Sequence, residues 1–237
     1  MKAIIGIDAG HGGSSSGTYS VNTVFDGLFE KDFALEQALL IEQKLLKNGF
    51  GVIMTRRSDV NPGTVSERAK KMKEGKADFA LSIHFNGFGS ESANGCEIYV
   101  PYAERAAGIE TGFRGLLEKY FRRREPFARS NSYSDRNVIF DKKLNAKTKK
   151  FDAFDDEKDY FGFIRDCWAG GISADLVEIC FLTNKNDFET YRKNREEIAD
   201  GIARSIVEAF GEKYISEKTE EISAAKPRIK RKFDVIN

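Results

Sequence analysis

The only two histidines of this 237-residue chain each follow a run of residues typical of a β-strand. His11 lies in the stretch IDAGHGG, directly after a short apolar run, and His84 lies near the end of ADFALSIHFN (77–86). A glutamate, Glu178, lies within a third such run, ADLVEICF (174–181). Sites in open α/β sheets form just beyond the carboxyl ends of the strands. The spacing therefore predicts that the two imidazoles and the carboxylate converge at one edge of a sheet.

Two neutral imidazoles and one carboxylate are a ligand set of catalytic zinc sites, which leave a fourth position open for water. The segment FDGLFEKDF offers three acidic residues as the third ligand, Asp26, Glu30 and Asp32. Glu30 lies at the start of a predicted helix and is held on a rigid element, but spacing alone does not choose among the three. Glu178 would be costly to bury without a partner charge, a metal or a proton. We predict that it acts as a general base on an activated water molecule.

A phosphate-binding loop is the main alternative for the glycine-rich stretch GHGGSSSG. A nucleotide-binding loop of that kind ends in Gly-Lys-Ser/Thr, whereas the next lysine here is Lys31. The glycine spacing of dinucleotide-binding loops is met by Gly10, Gly12 and Gly17 only if the last interval is stretched. A single histidine near a strand end is more often a hydrogen-bonded core residue than a ligand. The metal-site prediction therefore depends on the combination of segments.

Strand-like and helical runs alternate along the chain, which is the pattern of a largely parallel sheet covered by helices. The first helical run has apolar residues at helical spacing and is closed by Gly49. We predict a three-layer α/β fold with a twisted, mostly parallel β-sheet and helices on both faces. The predicted strands are 2–8, 50–56, 77–86, 95–100 and 174–181, and the predicted helices are 30–48, 65–74, about 104–124 and about 195–214.

The composition excludes several other classes of protein. The 38 Lys and Arg residues nearly balance the 37 Asp and Glu residues, so no global basic field favours nucleic-acid binding. No apolar run approaches about 20 residues, which excludes membrane insertion. The opening MKAIIGID lacks the apolar region and cleavage site of a signal peptide, so we expect synthesis in the cytoplasm. The three cysteines form no CxxC pair, which indicates reduced thiols and a reducing compartment during synthesis.

The segment at about 103–170 interrupts the alternation of strands and helices. After one helix it becomes polar and rich in aromatic residues, with a basic block at 142–150 and an acidic block at 152–159. From residue 216 onward the apolar periodicity is lost, and the chain ends in KPRIKRKFDVIN. We predict a catalytic domain over 1–215, with an insert at about 103–170 that acts as a lid or specificity element. Residues 216–237 form a polar tail or linker in this interpretation.

Five segments, in order along the chain, resemble the motifs of one family, the zinc-dependent N-acetylmuramoyl-L-alanine amidases of the amidase-3 type. The resemblance runs from residue 3 to about 210, apart from 103–170. It implies that His11, Glu30 and His84 bind one zinc ion and that Glu178 is the catalytic acid/base. The segments are IDAGHGG, GLFEKDFAL, TRRSD with SERAKKMKEGKADFALSIHFN, NGCEIYV and LVEICFLTNKND.

The resemblance further implies an enzyme that hydrolyses the amide between N-acetylmuramic acid and L-alanine in bacterial peptidoglycan. With no signal peptide expected, this suits a phage endolysin, which we favour, or a lytic autolysin of sporulation. Either would reach the cell wall after lysis or through a membrane lesion. Two alternatives are a non-catalytic cell-wall binding module and a zinc peptidase that acts on the stem peptide. The binding module is disfavoured because all four motif positions carry the expected residues.

Overall fold

The computed structural model describes residues 2–19, 28–101, 107–130 and 161–216. The strands are β1 (Ile4–Ala9), β2 (Gly51–Met54), β3 (Phe79–Asn86), β4 (Cys96–Val100), β5 (Arg123–Ser130) and β6 (Ser173–Phe181). They form one sheet in the order β2-β1-β3-β6-β4-β5. The first four of these run parallel, whereas β4 pairs antiparallel with β6 and parallel with β5. The prediction of a mostly parallel sheet is confirmed.

Helices cover both faces of the sheet, as the alternating pattern predicted. The helices are α1 (Glu30–Lys47), α2 (Val65–Glu74), α3 (Ala107–Leu117), α4 (Gly162–Ala169) and α5 (Lys185–Ala209). On one face, α1, α3 and α5 enclose the larger apolar core together with Leu81, Ile83 and Phe85 of β3. On the other face, α2 and α4 pack a smaller cluster against Ala80 of β3 and Ala174 of β6. Strand alternation thus assigns neighbouring residues of β3 to opposite layers.

Local signals explain where the helices next to the site begin and end. In α1, Phe33, Ala38 and Ile41 recur at helical spacing and are fully buried. The chain leaves this helix through Gly49, whose φ of 81° lies in the left-handed region that favours glycine. At the start of α2, the Thr64 hydroxyl accepts the backbone N–H of Glu67, as a capping box requires.

The last helix begins ten residues earlier than the sequence predicted. It starts at Lys185, rather than at about 195, because the Asn184 side chain accepts the backbone N–H of Asp187 and caps the first turn. Phe188 and Tyr191 then bury the apolar side of this polar stretch. The early apolar positions are too few to give a clear helical period, so the capping residue is the better signal.

The predicted helix at about 104–124 is shorter in the structure. It ends at Leu117, after which the chain turns and forms β5 at the edge of the sheet, and neither β5 nor α4 was predicted. The described parts of the 103–170 segment therefore supply elements of the layered fold, with α3 packed on α5 and α4 packed on α2. The charge blocks at 142–150 and 152–159 lie outside the described residues, so a lid or specificity role for this segment stays a prediction.

The tail also lies largely outside the described residues, which end at Ser216. Just before that point, the Asn48 side chain bonds the backbone of Ile215 through both its oxygen and its nitrogen, which fastens the chain to the end of α1. In the described part of the chain, no helix combines the length and apolar character needed to cross a bilayer.

Candidate metal centre

The structure brings the three predicted metal ligands together at the carboxyl edge of the sheet. His11 follows β1, Glu30 is the first residue of α1, and His84 lies near the end of β3. One potential ligand atom from each residue lies within 4.8 Å of the others. Oε1 of Glu30 lies 3.2 Å from Nε2 of His11 and 2.8 Å from Nδ1 of His84. The two histidines, which are distant from Glu30 in the sequence, therefore both approach the same oxygen of its carboxylate.

Asp32, the other described acidic candidate in this segment, does not occupy the position of Glu30. The Asp32 carboxylate turns back and accepts the backbone N–H of Phe29 at 2.8 Å, which caps the first turn of α1. Asp26 lies outside the described residues. Of the described acidic residues in this segment, Glu30 is the one whose carboxylate reaches both imidazoles.

Close backbone packing allows the loop, the helix and the strand to reach one point. His11 itself has a φ of 59°, and this left-handed conformation costs a residue with a side chain on the order of 1–3 kcal/mol. A Cβ atom on Gly10 would come within 2.5 Å of the His84 ring. Gly17, with a φ of 69°, is packed against Glu30 and His11 in the same way. Side chains at these two glycines would push the donor atoms apart.

Hydrogen bonds orient the donor atoms. Nδ1 of His11 lies 3.0 Å from the Ser15 hydroxyl, which leaves Nε2 directed at Glu30. The Glu30 carboxylate accepts backbone N–H groups from Thr18 at 2.9 Å and from Phe85 at 3.1 Å. Partners of this kind fix the orientation of ligands and strengthen metal binding.

The charges of the site are strongly coupled. Burial opposes ionisation of Glu30, but hydrogen bonds from His11 and His84 outweigh it and hold the pKa of the carboxyl well below its usual range. Burial also opposes a charge on His84, yet the hydrogen bond to Glu30 and its negative charge, aided by Glu178 and Asp8, raise the pKa of the imidazole to about 9. At neutral pH, a protonated His84 therefore lies against an ionised Glu30.

The donor set fits a divalent cation such as zinc. Two imidazole nitrogens and one carboxylate oxygen are the protein ligands of several catalytic zinc sites, and this cluster offers one such atom from each residue. Nδ1 of His84 and Oε1 of Glu30 lie 2.8 Å apart, and a cation would be attracted by the same two atoms. A metal would displace the proton of His84, because metal ligation requires deprotonated donors.

Glu178 lies beside His84 on the neighbouring strand, because β3 and β6 pair with these residues in register. The residue keeps some exposure, but its Oε2 atom is shielded from solvent and has no hydrogen-bond partner among the described residues. Burial raises the pKa of this carboxyl to about 8, with the charge of His84 opposing the rise and those of Glu30 and Glu97 adding to it. A group that exchanges a proton near neutral pH has the property required of a general acid and base.

Glu97, within the segment NGCEIYV, is a further buried carboxylate next to the site and was not among the predicted site residues. It faces Glu178 across the antiparallel pair of β4 and β6. Its oxygens accept hydrogen bonds from Arg124, from the Tyr99 hydroxyl at 2.7 Å and from the Asn86 amide at 3.3 Å. An acidic residue within the apolar run CEIYV was the available signal, since a carboxylate is seldom buried without partners.

The fold and the site define an α/β protein with a cluster of three residues that could hold a metal ion and an adjacent glutamate at the carboxyl edge of its sheet. Residues 5–208 match the Amidase_3 family, N-acetylmuramoyl-L-alanine amidase. The chain belongs to this family. The match includes His11, Glu30, His84 and Glu178, and the family resemblance seen in the sequence is confirmed.

Individual relatives agree with this assignment. The chain is 36% identical over 101 residues to N-acetylmuramoyl-L-alanine amidase LytC of Bacillus subtilis, which covers 43% of this chain and 19% of LytC. It is 33% identical over 138 residues to the germination-specific N-acetylmuramoyl-L-alanine amidase of the same organism, covering 51% of this chain and 56% of that relative. The chain thus spans less than two thirds of either protein.

A solved structure extends the similarity over nearly the whole chain. The catalytic domain of the N-acetylmuramoyl-L-alanine amidase CwlV from Bacillus (Paenibacillus) polymyxa var. colistinus superposes with a TM-score of 0.64. The sequence identity is 26%, and the superposition covers 90% of this chain and 100% of that domain. The layered α/β fold is therefore shared with a known amidase domain.

Proposed function

We propose that this chain hydrolyses the amide bond between N-acetylmuramic acid and L-alanine in bacterial peptidoglycan, with one zinc ion held by His11, Glu30 and His84. The observation that carries the proposal is the convergence of these three donors beside Glu178 in a chain of the amidase family. Zinc bound by such a donor set supplies Lewis-acid activation of a water molecule and of the scissile carbonyl.

Glu178 is the acid/base of the proposed reaction. Its carboxylate takes a proton from the attacking water, whose oxygen forms the new bond to the lactyl carbonyl carbon. The bond from that carbon to the L-alanine nitrogen then breaks, and Glu178 returns the proton to the leaving amine. The pKa of Glu178, about 8 in the metal-free protein, would fall with a cation at the neighbouring donors, because positive charge favours the ionised carboxylate.

Glu97 holds a second negative charge close to Glu178 without competing for the same role. The Arg124 guanidinium donates a hydrogen bond to Glu97 and also lies 4.9 Å above the ring of Phe181 at the end of β6. We propose that Glu97 keeps the Glu178 carboxyl basic enough to accept a proton, since a nearby like charge raises a carboxyl pKa.

Digestion of purified cell walls tests the proposed bond specificity. We expect soluble muropeptides with a new amino terminus at L-alanine, identified by mass spectrometry of the released ends. Removal of metal by a chelator should abolish release, and added zinc should restore it. New ends within the stem peptide would identify a peptidase instead. Wall binding without release by the zinc-loaded protein would identify a binding module.

Residues 1–215 form one catalytic domain in this proposal, with 216–237 as an appended tail. The family match over 5–208 and the attachment of Ile215 to α1 support the boundary. The cellular setting, a phage endolysin or an autolysin of sporulation, stays a prediction. Lysis of intact bacteria by the purified protein added from outside, compared with cells whose membrane has first been permeabilised, tests whether the protein has to cross a membrane lesion.

A further inference from the structure

The segment between β2 and α2, residues 55–64, packs against the loop that carries His11. Arg56 in this segment is charged, yet its side chain is only 3% exposed. Nε donates to the carbonyl of Ala9 at 3.0 Å, and one Nη nitrogen donates to the carbonyls of Gly10 at 2.8 Å and Lys31 at 2.6 Å. A buried guanidinium that bonds mainly backbone carbonyls serves to hold those backbone segments in place.

The three carbonyls belong to residues next to the proposed metal ligands. Ala9 and Gly10 immediately precede His11, and Lys31 immediately follows Glu30. One rigid, planar group therefore joins the loop after β1 to the first turn of α1. Because the guanidinium offers its donors in a fixed geometry, it sets the separation of the two backbone segments that present the imidazole and the carboxylate.

Asp59 makes a second connection between the same two segments. Its carboxylate accepts the backbone N–H of Gly13 at 2.8 Å and the ammonium group of Lys31 at 2.6 Å. The Lys31 ammonium also donates to the Gly13 carbonyl at 2.9 Å. Arg56 thus bonds the two residues that precede His11, and Asp59 bonds Gly13, which follows it, so the loop from Ala9 to Gly13 (the histidine loop) is held on both sides of the histidine in the sequence.

The histidine loop requires such support. The left-handed φ of His11 persists only where its surroundings determine it. The loop is also pressed against the supporting segment, because a Cβ atom on Gly12 would collide with the carbonyl of Val60 and one on Gly13 would come within 2.9 Å of the Asn61 nitrogen. Without its two side-chain connections, the loop would be free to relax to a more ordinary conformation that directs the imidazole elsewhere.

We propose that Arg56 and Asp59 are positioning residues that hold His11 at the distance from Glu30 that a metal ion requires. This inference rests on the proposed function in treating His11, Glu30 and His84 as metal ligands. It adds that metal affinity is set by a segment that contributes no ligand of its own.

The test compares Arg56→Lys and Asp59→Ala with a matched control, Arg57→Lys. Arg57 lies in the same segment and also bonds α1, but it pairs with Glu42, twelve residues beyond Glu30 and away from the histidine loop. Zinc affinity is measured by competition with a chromophoric chelator, and ligand geometry by the visible absorption of the cobalt(II)-loaded protein. Thermal unfolding of each metal-free variant reports stability separately.

We expect Arg56→Lys to raise the zinc dissociation constant about 10- to 100-fold and Asp59→Ala to raise it about tenfold, as loss of a ligand's supporting partner does elsewhere. Both should change the cobalt spectrum, whereas Arg57→Lys should leave the affinity and the spectrum as in the wild type. A merely structural role would lower the unfolding temperature of the metal-free protein without weakening metal binding by its folded fraction.

Wild-type affinity in both variants would overturn the inference while leaving the metal site intact, as would an equal loss in Arg57→Lys. If Arg56→Lys does not fold, Asp59→Ala decides alone, because its side chain is half exposed and its removal leaves the core unchanged. A wild-type protein that binds no zinc or cobalt would overturn the metal site itself, and both proposals with it.

Discussion

Two glutamates at the same edge of the sheet have opposite ionisation behaviour. The Glu30 carboxylate is surrounded by donors: two imidazoles and the backbone N–H groups of Thr18 and Phe85. Glu178 pairs with His84 on the neighbouring strand and so lies beside this cluster. Its Oε2 nevertheless has no hydrogen-bond partner among the described residues. The pKa of the first carboxyl is held far below its ordinary value, and the pKa of the second is raised to about 8.

Burial alone does not explain the contrast, since it acts in the same direction on both groups. The number of hydrogen-bond donors facing each carboxylate decides the direction of its pKa shift, because hydrogen bonds to the ionised form compensate for its lost hydration. One environment makes a permanent anion that attracts a cation, and the other makes a group that can exchange a proton. The contrast therefore separates the role of ligand from the role of acid/base.

Replacing Glu30, the permanent anion, should have the largest effect on the site. Glu30→Gln keeps the shape of the side chain but removes the charge that both imidazoles face, so we expect zinc affinity to fall by more than the roughly 10- to 100-fold cost of losing a supporting partner. Hydrolysis should be lost with the metal. In the metal-free variant the pKa of His84 should fall from about 9, which NMR can follow because the chain has only two histidines.

The matched control is Glu42→Gln on the same helix. Its carboxylate is also buried, but it pairs with Arg57 away from the site. We expect unchanged metal affinity in this variant. An equal loss of affinity in Glu42→Gln would mean that α1 as a whole, rather than the Glu30 charge, determines metal binding.

Replacing the proton-exchanging group should remove activity and spare the metal. In Glu178→Gln we expect the rate of wall hydrolysis to fall about 10²- to 10⁴-fold, the usual contribution of a general acid/base, with zinc still bound. Metal content by elemental analysis and muropeptide release are measured on the same sample. Loss of zinc would instead make Glu178 a ligand, and undiminished hydrolysis would assign proton transfer to another group.

The pH dependence of stability sharpens the comparison in the metal-free protein. The pKa of Glu178 is near 8 in the folded protein and about 4.5 when unfolded, so folding is favoured while the group is protonated. This contribution is lost as the pH rises from 4.5 to 8. Glu178→Gln should therefore unfold at the wild-type denaturant concentration near pH 4.5. At pH 8 the variant should be more stable than the wild type by on the order of 2 kcal/mol. The partial exposure of Glu178 makes this difference smaller than the full shift of its pKa would give.

Other groups of the site also titrate in this experiment. His84, with a pKa raised to about 9 from 6.5, contributes stability that declines between those two values, and in the variant its pKa is lower because the charge of Glu178 adds to the rise. The comparison therefore reports the titration of Glu178 most directly between pH 4.5 and 6.5, where His84 is protonated in both proteins. Glu30, with a lowered pKa, contributes stability that is lost only in acid. If the free energy of unfolding changed equally with pH in the wild type and in Glu178→Gln from pH 4.5 to 8, the raised pKa of Glu178 would be contradicted.

Much of the fold could be predicted because its signals are local. The alternation in ADFALSIHFN separates Leu81 and Ile83 from Ser82 and His84, and in the structure Leu81 and Ile83 lie in the larger core whereas Ser82 and His84 do not. Elements with weak local signals were missed, namely β5, α4 and the first ten residues of α5. These stretches are short or polar, and packing on distant parts of the chain determines their conformation.

The site was predictable in its residue types but not in its supporting contacts. The choice of Glu30 over Asp32 depends on which carboxylate turns back to cap α1, and spacing does not contain that information. Arg56 lies in a recognisable motif, yet its bonds to Ala9 and Lys31 join segments up to 47 residues apart in sequence. Such contacts exist only once β1, β2 and α1 have been brought side by side.

The smallest expected effect concerns the three buried cysteines, whose reactivity is a direct measure of how well the folded protein excludes solvent from them. Burial raises the pKa of Cys96 and Cys167 to about 12 and that of Cys180 well above its usual range. We expect none of these thiols to react with a chromogenic disulfide reagent at pH 8, whereas the denatured protein should react at all three. Cys180 follows Glu178 by two residues in β6, so rapid reaction at this thiol would mean that the strand opens to solvent. An opened strand would also hydrate the Glu178 carboxyl, and its pKa would return towards that of an ordinary glutamate.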